Sequence, residues 1–233
     1  LSELIDYLVL NYNIDSNRVY STGFSNGGFM SYTLACELSD KIAAIASVTG
    51  SMLMSQQNLC NPSRPIPVIQ IHGTLDLTVP YFGNTDIEPV EEVISYWVSF
   101  NNCDSNPIYS LVPDIITTDL CYAEHYKYLN GNNGSSVEFY KVINGGHTWP
   151  GAYVPFFGNN TNQDFKASEK IWEFFSKYDI NGLIDQSNNT EVQEINKKNI
   201  LINTYNLLGK KNPRHGFCFE IYDDGSVVKK YKL

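Results

Sequence analysis

Residues 18–30 read RVYSTGFSNGGFM, and they set the architecture expected for the rest of the chain. A β-branched and aromatic run leads into a G-x-S-x-G motif at residues 23–27, and a helical pattern follows over 29–38. Strand, sharp turn and helix are the context in which this motif exposes a nucleophilic Ser25 on an elbow. The residues two positions before and after Ser25 must then be very small to let the chain bend, which accounts for both glycines. The alternative is a Gly-rich turn whose serine only caps the helix.

The helix after Ser25 would aim its N-terminal N–H groups and the positive end of its dipole at the site. An oxyanion formed by attack on a carbonyl would be stabilised there. The backbone N–H of Asn26 is therefore a candidate oxyanion-hole donor.

Composition describes an ordinary globular protein of 233 residues, with 42% hydrophobic residues and a net charge of −9. The negative charge argues against nucleic acid or an anionic membrane as the main partner, and no apolar run is long enough to span a bilayer. The charge is unevenly placed, because residues 1–180 carry 8 Lys/Arg and 19 Asp/Glu whereas residues 181–233 carry 8 and 6. Residues 1–180 and residues 181–233 are therefore expected to be structurally and functionally different parts of the chain.

Continuous apolar strands at 42–48 and 68–72 alternate with helical patterns, as in a doubly wound parallel α/β sheet covered on both faces. The stretch 103–134 is expected to be loop-rich, and residues 137–143 to form a last strand. The predicted organisation is a catalytic α/β domain (1–180), a polar linker (181–196) and a small β-rich tail (197–233).

The chain opens on apolar residues at helical spacing, so we expect an upstream portion with the first strands of the sheet to be missing. A second oxyanion-hole donor would then be missing too, at a typical cost of about 10²–10³ in rate. An isolated piece is accordingly expected to be inactive and prone to aggregate.

A serine nucleophile needs an imidazole to take its proton and a carboxylate to orient that imidazole. Asp76 lies in the loop directly after the strand 68–72, between Ser25 and the later histidines, which is the order Ser, acid, His known for this elbow. A turn or capping role is the alternative for Asp76. Weaker candidates for the acid are Asp86, Glu88 and Asp119.

Of four histidines, His147 follows the last predicted strand in a loop whose paired glycines let it bend back over the site. It is the one that completes the expected order. His72 ends a strand and is interpreted as a packing or loop-orienting residue, whereas His125 lies in a polar stretch and His215 in the tail.

Aromatic residues cluster on the loops that carry the predicted acid and base. Trp149 and Tyr81 are the candidate substrate-binding residues, on the argument that aromatic rings offer a platform for a sugar, an aryl acid or an apolar polymer. The alternative is that such residues cover the core. The remaining members of the cluster are Phe82, Tyr153, Phe156 and Phe157.

Five cysteines allow two disulfides, Cys36–Cys60 and Cys103–Cys121, which would fit an oxidising compartment and leave Cys218 over. Sequence alone does not fix this connectivity, and free buried thiols are the alternative. The spacing is not that of a zinc site, so we assign no metal and no cofactor.

Four stretches of this chain resemble the secreted polyhydroxybutyrate-depolymerase/feruloyl-esterase family of α/β hydrolases, and the resemblance spans residues 1–180. It implies hydrolysis of carboxylic esters outside the cell, on polyester or on acyl groups of plant polysaccharide. It also implies Ser25, Asp76 and His147 as nucleophile, acid and base. The matching stretches are 19–30 with 34–36, 71–76 with 79–81, 145–151, and 167–169 with 171–175.

The tail resembles the C-terminal sorting segments of Bacteroidetes-type (type IX) secretion at 207–211, 221–225 and 229–230. This resemblance implies a partner in the secretion machinery, besides an ester substrate that is expected to be polymeric. Two other readings stay open: a peptidase or acyltransferase on the same fold, and a non-catalytic glycan-binding module.

Overall fold

The structure is a computed structural model that describes residues 1–152, 160–184, 201–206, 210–211, 216–222 and 227–232. The chain divides into two compact units, Leu1–Ile184 and Asp185–Leu233. The first unit extends beyond residue 180 because two short strands, Tyr178–Asp179 and Gly182–Leu183, form an antiparallel pair. The boundary predicted at residue 180 falls between these two strands, and residues 185–196 of the predicted linker lie outside the described residues.

The first unit is built on a six-stranded sheet in the order β1-β2-β3-β6-β5-β4. Strands β1, β2, β3 and β6 run parallel, and β5 and β4 are antiparallel additions at one edge. The predicted α/β class is confirmed. The strand bounds are β1 Tyr20–Phe24, β2 Ala44–Val48, β3 Val68–Gly73, β4 Ile108–Leu111, β5 Tyr122–Tyr128 and β6 Val137–Ile143.

Residues 103–134 are rich in loops as predicted, but they also contain two strands that the sequence did not indicate, β4 and β5. Strand β4 is exposed along its whole length, and β5 mixes charged and aromatic residues. Neither strand has the continuous apolar run that marks the buried parallel strands.

In the described part of the first unit, five α-helices accompany the sheet, at Ser2–Asn11 (α1), Asn26–Glu37 (α2), Met54–Gln57 (α3), Val90–Phe100 (α4) and Ala167–Phe175 (α5). Helices α2 and α4 pack against one face, in a core that includes Tyr32, Trp97 and Phe139. Helix α5 packs against the other face, in a core that includes Tyr140 and Phe174. Successive residues of a strand point to opposite faces, so Phe139 and Tyr140 belong to different cores.

Helix α2 approaches the end of β2 closely. A Cβ on Gly28 would lie 2.9 Å from the Cα of Gly50, and a Cβ on Gly50 would lie 2.7 Å from the Cα of Gly28. Such distances are too short for any side chain, so glycine at both positions lets the helix that follows Ser25 sit directly on the sheet.

A disulfide joins Cys36, on α2, to Cys60 in the loop before β3. The expected Cys103–Cys121 pairing is wrong, because both are free thiols. Cys103 packs with the core beneath α4 and Cys121 with the core beneath α5, so the two residues belong to opposite faces of the sheet. Burial raises the pKa of Cys103 to about 11 and that of Cys121 to about 12. Cys218 is also free and is buried in the second unit.

The second unit contains a three-stranded antiparallel sheet in the order β11-β10-β9. Its strands are Leu201–Asn206 (β9), Gly216–Tyr222 (β10) and Val227–Lys232 (β11), which confirms the predicted small β-rich tail. Across β10 and β11, Lys230 Nζ lies 2.7 Å from Glu220 Oε2.

None of the helices in the described parts of the chain combines the length and the apolar character needed to cross a bilayer.

Candidate active site

Three of the parallel strands deliver the predicted site residues to the same edge of the sheet. Ser25 directly follows β1, Asp76 lies three residues after the end of β3, and His147 four residues after the end of β6. Parallel strands place their carboxyl ends together, and chemistry in open α/β sheets collects there.

Ser25 occupies the strained position expected of an elbow. Its φ of 54° and ψ of −116° are unusual for a residue with a side chain, and it is the N-cap of α2. The Ser25 N–H donates to the carbonyl of Val48 at 2.9 Å, which ties the turn to the neighbouring strand β2.

The two glycines of the motif are not equivalent. A Cβ on Gly23 would lie 2.5 Å from the backbone of Gly27, whereas a Cβ on Gly27 would meet no atom within 4 Å. Only Gly23 is therefore required by the close return of the chain, which corrects the expectation that both neighbours of Ser25 must be small for steric reasons.

The predicted acid and base are hydrogen-bonded to each other. His147 Nδ1 lies 2.7 Å from Asp76 Oδ2, and both residues are buried, with exposed fractions of 1% and 3%. The other carboxylate oxygen, Oδ1, accepts the backbone N–H groups of Thr78 and Val79 at 2.9 and 2.8 Å. With the proton of a neutral imidazole held on Nδ1, its lone pair is on Nε2, where a proton could be accepted.

The loops that carry this pair are fastened together by backbone bonds. The N–H of Thr74 donates to the carbonyl of Val142, and the N–H of Leu75 donates to the carbonyl of Gly145, both at 2.9 Å. The N–H of Asn144 also donates to the hydroxyl of Thr74 at 2.9 Å. The distance between acid and base is therefore set by main-chain geometry as well as by the pair itself.

The ring of His147 lies beside the elbow. Its centroid is 4.7 Å from that of Phe24, the residue that precedes Ser25. The structure thus brings the imidazole, its carboxylate and the strained serine to one group of loops.

Asn26 is the first residue of α2, which runs for 12 residues. The first N–H groups of a helix have no partner within the helix, and the helix dipole makes this end positive. The Asn26 N–H therefore lies in the first turn of the helix, and its role as an oxyanion-hole donor stays a prediction.

The expectation that Tyr81 contacts substrate is not supported by its position, because Tyr81 is 3% exposed and belongs to the core beneath α4. Its hydroxyl donates to Glu91 Oε1 at 2.6 Å. Burial, followed by this hydrogen bond, raises the pKa of Tyr81 well above its usual value. The ring on the surface is that of the next residue, Phe82, which is 80% exposed.

Trp149, the other predicted substrate contact, is half-buried against the core beneath α5, and its Nε1–H donates to Ser168 Oγ at 3.2 Å. A contact with substrate through its exposed part stays a prediction. Tyr153, Phe156 and Phe157 lie outside the described residues.

Two buried polar residues beside the site were not assigned a chemical role by the sequence. His72 Nε2 lies 3.4 Å from Asp76 Oδ2, and His72 Nδ1 lies 3.0 Å from Gln70 Nε2. The sequence feature that could have indicated their role is the presence of Gln70 and His72 in an otherwise apolar strand. Polar residues at fully buried positions need hydrogen-bond partners.

Asp119, one of the weaker acid candidates, is engaged elsewhere. Both oxygens of Asp119 accept backbone N–H groups, of Cys121 and Gln163, and Asp86 lies in an exposed turn. Among the residues that the structure describes, no group of three or more His, Cys, Asp or Glu side chains could hold a metal ion.

Comparison with known proteins gives a family match and several similar enzymes. A family model described as phospholipase/carboxylesterase matches residues 1–127. The chain is 25% identical over 189 residues to a bifunctional acetylxylan esterase/xylanase of Neocallimastix patriciarum, covering 81% of this chain and 24% of that protein. It is 29% identical over 165 residues to feruloyl esterase D of Neurospora crassa, covering 71% of this chain and 50% of that protein.

Among solved structures, an acetyl xylan esterase from Aspergillus awamori superposes with a TM-score of 0.47 at 17% identity, covering 75% of this chain and 65% of that one. The chain spans about a quarter to a half of the length of the two curated relatives described above.

Proposed function

Because this chain belongs to the phospholipase/carboxylesterase family of α/β hydrolases, we propose that it hydrolyses carboxylic esters through Ser25, His147 and Asp76. One observation carries the proposal: a buried His147–Asp76 hydrogen bond of 2.7 Å beside a serine with φ of 54°. A serine that only capped a helix would need neither the strained backbone nor an oriented imidazole nearby.

In the proposed reaction, Ser25 Oγ attacks the ester carbonyl carbon while His147 Nε2 takes the hydroxyl proton. The negative charge that develops on the carbonyl oxygen is stabilised by the N–H of Asn26. Asp76 holds the imidazole in its tautomer and stabilises the imidazolium. His147 then gives the proton to the leaving alcohol, and a water molecule, activated in the same way, releases the carboxylic acid and restores Ser25.

For the substrate we propose acyl groups esterified to plant polysaccharide, acetyl or feruloyl. Similar proteins carry the names acetylxylan esterase and feruloyl esterase. The loop of Asp76 also presents apolar side chains on the surface, with Leu77 84% and Phe82 80% exposed, which suits contact with a polymer surface. A polyhydroxyalkanoate polyester, the other substrate that the sequence suggests, offers the same ester bond.

An extracellular location is part of the proposal. The Cys36–Cys60 disulfide supports it, because such bonds persist in oxidising compartments. The proposal also assigns the tail to the secretion machinery, on its resemblance to sorting segments.

The test is a substrate panel on the complete gene product: p-nitrophenyl acetate, methyl ferulate, acetylated xylan, a polyhydroxybutyrate film and a p-nitroanilide. Ester turnover should exceed anilide turnover by orders of magnitude and should vanish in Ser25→Ala. The matched control is Ser63→Ala, at an exposed serine of another loop, which should keep full turnover.

A fluorophosphonate probe should label the wild type and not Ser25→Ala. Glycan binding without labelling would identify a non-catalytic module, and a preference for anilides would identify a peptidase. Transfer to an added alcohol that outpaces hydrolysis would identify an acyltransferase. Each of these outcomes would overturn the proposed function.

A further inference from the structure

A chain of buried hydrogen bonds runs from the helix of the nucleophile to the loop of the acid. The hydroxyl of Tyr32, on α2, donates to Gln70 Oε1 at 2.7 Å. Gln70 Nε2 donates to the carbonyl of Gly50 at 2.8 Å and lies 3.0 Å from His72 Nδ1. The side chains of Tyr32, Gln70 and His72 are fully buried, so water does not compete for these bonds.

The bonding partners fix the direction of each hydrogen bond between Tyr32 and His72. The carbonyl of Gly50 can only accept, so the amide of Gln70 must turn its NH₂ group toward Gly50 and toward His72. Its oxygen then faces Tyr32, which donates. The Nδ1 atom of His72 accepts from Gln70, so a neutral ring carries its proton on Nε2.

The Nε2–H of His72 points at the loop of the acid. Nε2 lies 2.9 Å from the carbonyl oxygen of Val79 and 3.4 Å from Asp76 Oδ2. The same Asp76 accepts the N–H of Val79 through its other oxygen. One imidazole therefore contacts both ends of the turn from Asp76 to Val79.

The charge state agrees with this assignment. Burial lowers the pKa of His72, and the nearby His147 lowers it further, although the carbonyl of Val79 and the carboxylate of Asp76 act in the opposite sense. Among the described residues, the other titratable group that faces the His72 ring is Tyr81, and the two ring centroids are 6.1 Å apart. His72 is therefore a neutral ring that donates its Nε2–H to the carbonyl of Val79, with Asp76 Oδ2 3.4 Å away, and it is not the cation of an ion pair.

We propose that His72 is a positioning residue for the acid: its Nε2–H holds the turn from Asp76 to Val79 so that Asp76 Oδ2 stays aimed at His147. Gln70 and Tyr32 set the tautomer that makes this possible. The proposal rests on the proposed function of Asp76 and His147, and it adds a link between the elbow helix and the acid loop. The opposite tautomer would place a proton against the NH₂ group of Gln70 and a bare nitrogen against two oxygens.

Two variants of the complete gene product separate positioning from packing. His72→Leu keeps most of the side-chain volume and removes the N–H, whereas His72→Gln keeps an N–H near the position of Nε2. We expect His72→Leu to lower kcat about 10²-fold with KM unchanged, since a displacement of about 1 Å at the reacting groups has this size of effect. His72→Gln should recover a large part of that loss.

The matched control is His125→Leu, which removes another buried histidine that pairs with a carboxylate. It should lower stability and leave kcat unchanged. The proposal is overturned if His72→Leu keeps the wild-type kcat, or if His72→Gln and His72→Leu lose kcat equally in variants that melt as folded proteins.

A spectroscopic readout does not depend on activity. In ¹⁵N-histidine-labelled wild type, long-range ¹H–¹⁵N spectra should show His72 as the neutral Nε2–H tautomer throughout the pH range of activity. In Gln70→Glu, the carboxylate cannot donate to Nδ1, so His72 should become an imidazolium. The acid limb of the kcat/KM profile should then move to lower pH, because a second cation lies beside His147. A wild-type His72 that carries its proton on Nδ1, or that is already cationic, would overturn the proposal.

Different results would contradict the catalytic role of Ser25 and the positioning role of His72. Turnover that persists in Ser25→Ala would contradict the proposed function. Turnover that is abolished in Ser25→Ala but undiminished in His72→Leu would contradict the positioning role alone.

Discussion

Two buried histidines in this chain pair with carboxylates at nearly the same distance. His147 Nδ1 lies 2.7 Å from Asp76 Oδ2, and His125 Nε2 lies 2.9 Å from Glu138 Oε2. All four residues are buried. By burial and distance alone, either pair could serve a nucleophile.

The surroundings of the pairs differ. His125 and Glu138 lie within the neighbouring strands β5 and β6, the His125 ring stacks on Tyr140 at 3.9 Å, and Glu138 Oε1 lies 3.0 Å from Lys177 Nζ. This carboxylate is neutralised by a lysine and its imidazole is held flat against a ring. Asp76 and His147 lie on loops at the carboxyl ends of strands, beside the elbow. A strained serine and a loop position, rather than a short hydrogen bond, therefore mark the candidate catalytic pair.

The largest expected difference in kcat is between variants that remove one or the other of the two carboxylates. Asp76→Asn should lower kcat for ester hydrolysis by about 10⁴, because the amide favours the wrong imidazole tautomer. Glu138→Gln should leave the kcat of the folded enzyme unchanged. Steady-state kinetics with p-nitrophenyl acetate measures both variants. Equal losses of kcat would show that the two pairs are not distinct in role.

The second largest loss of activity is expected from a change in the elbow. Only the pair formed by Asp76 and His147 lies beside this turn, so the His125–Glu138 pair should not be affected. Gly23→Ala places a methyl group 2.5 Å from the backbone of Gly27, so the turn must shift. We expect a loss in kcat of about 10²-fold, the usual consequence of misplaced reacting groups. Gly27→Ala is the matched control, since its methyl group meets open space. Similar activities in the two variants would refute this steric assignment.

The His125–Glu138 pair, called the strand pair below because it lies within β5 and β6, should contribute to stability instead of activity. Burial alone would raise the pKa of Glu138, but the hydrogen bond from His125 and the charge of Lys177 outweigh it and hold the pKa below its usual value. Glu138→Gln should therefore lower the free energy of unfolding by about 1–3 kcal/mol at neutral pH.

The sign of the pH dependence follows from the lowered pKa. The stabilisation by Glu138 is complete above its unfolded-state pKa of about 4.3 and is lost as the pH falls through the lower folded-state pKa. Urea unfolding at a series of pH values should show the gap between wild type and Glu138→Gln narrowing in acid. A gap that widens in acid would contradict the lowered pKa.

The smallest effect is expected from the lysine. Lys177→Met leaves Glu138 with His125, and the Lys177 side chain is 40% exposed, so the loss in unfolding free energy should be below about 1 kcal/mol. High salt should reduce the difference further. A larger loss that salt does not change would indicate that the methylene chain of Lys177, rather than its charge, stabilises the strand pair.

The elements around the site could be predicted from sequence because their signals are local. The elbow motif, the apolar strand before Asp76 and the paired glycines before His147 are each contained in about ten residues. Their order along the chain then predicts which loops should meet.

The rest depends on contacts between residues distant in sequence. Tyr81 carries a polar group and lies on the acid loop, yet its ring is buried in the core beneath α4 and its hydroxyl bonds to Glu91. Cys103 and Cys121 are close in sequence but pack on opposite faces of a sheet whose edge strands, β4 and β5, lack an apolar run. The bond from Tyr32 to Gln70 joins residues 38 positions apart, and no local pattern encodes it.

The contact between Gly28 and Gly50 has a consequence for engineering. Each position excludes a side chain because of the other's main chain, so a library that varies either one alone would sample mostly misfolded clones. A larger residue at either position would require helix α2 to move away from the end of β2. Engineering of the candidate active site should therefore vary the loops that carry Asp76 and His147 and keep both glycines.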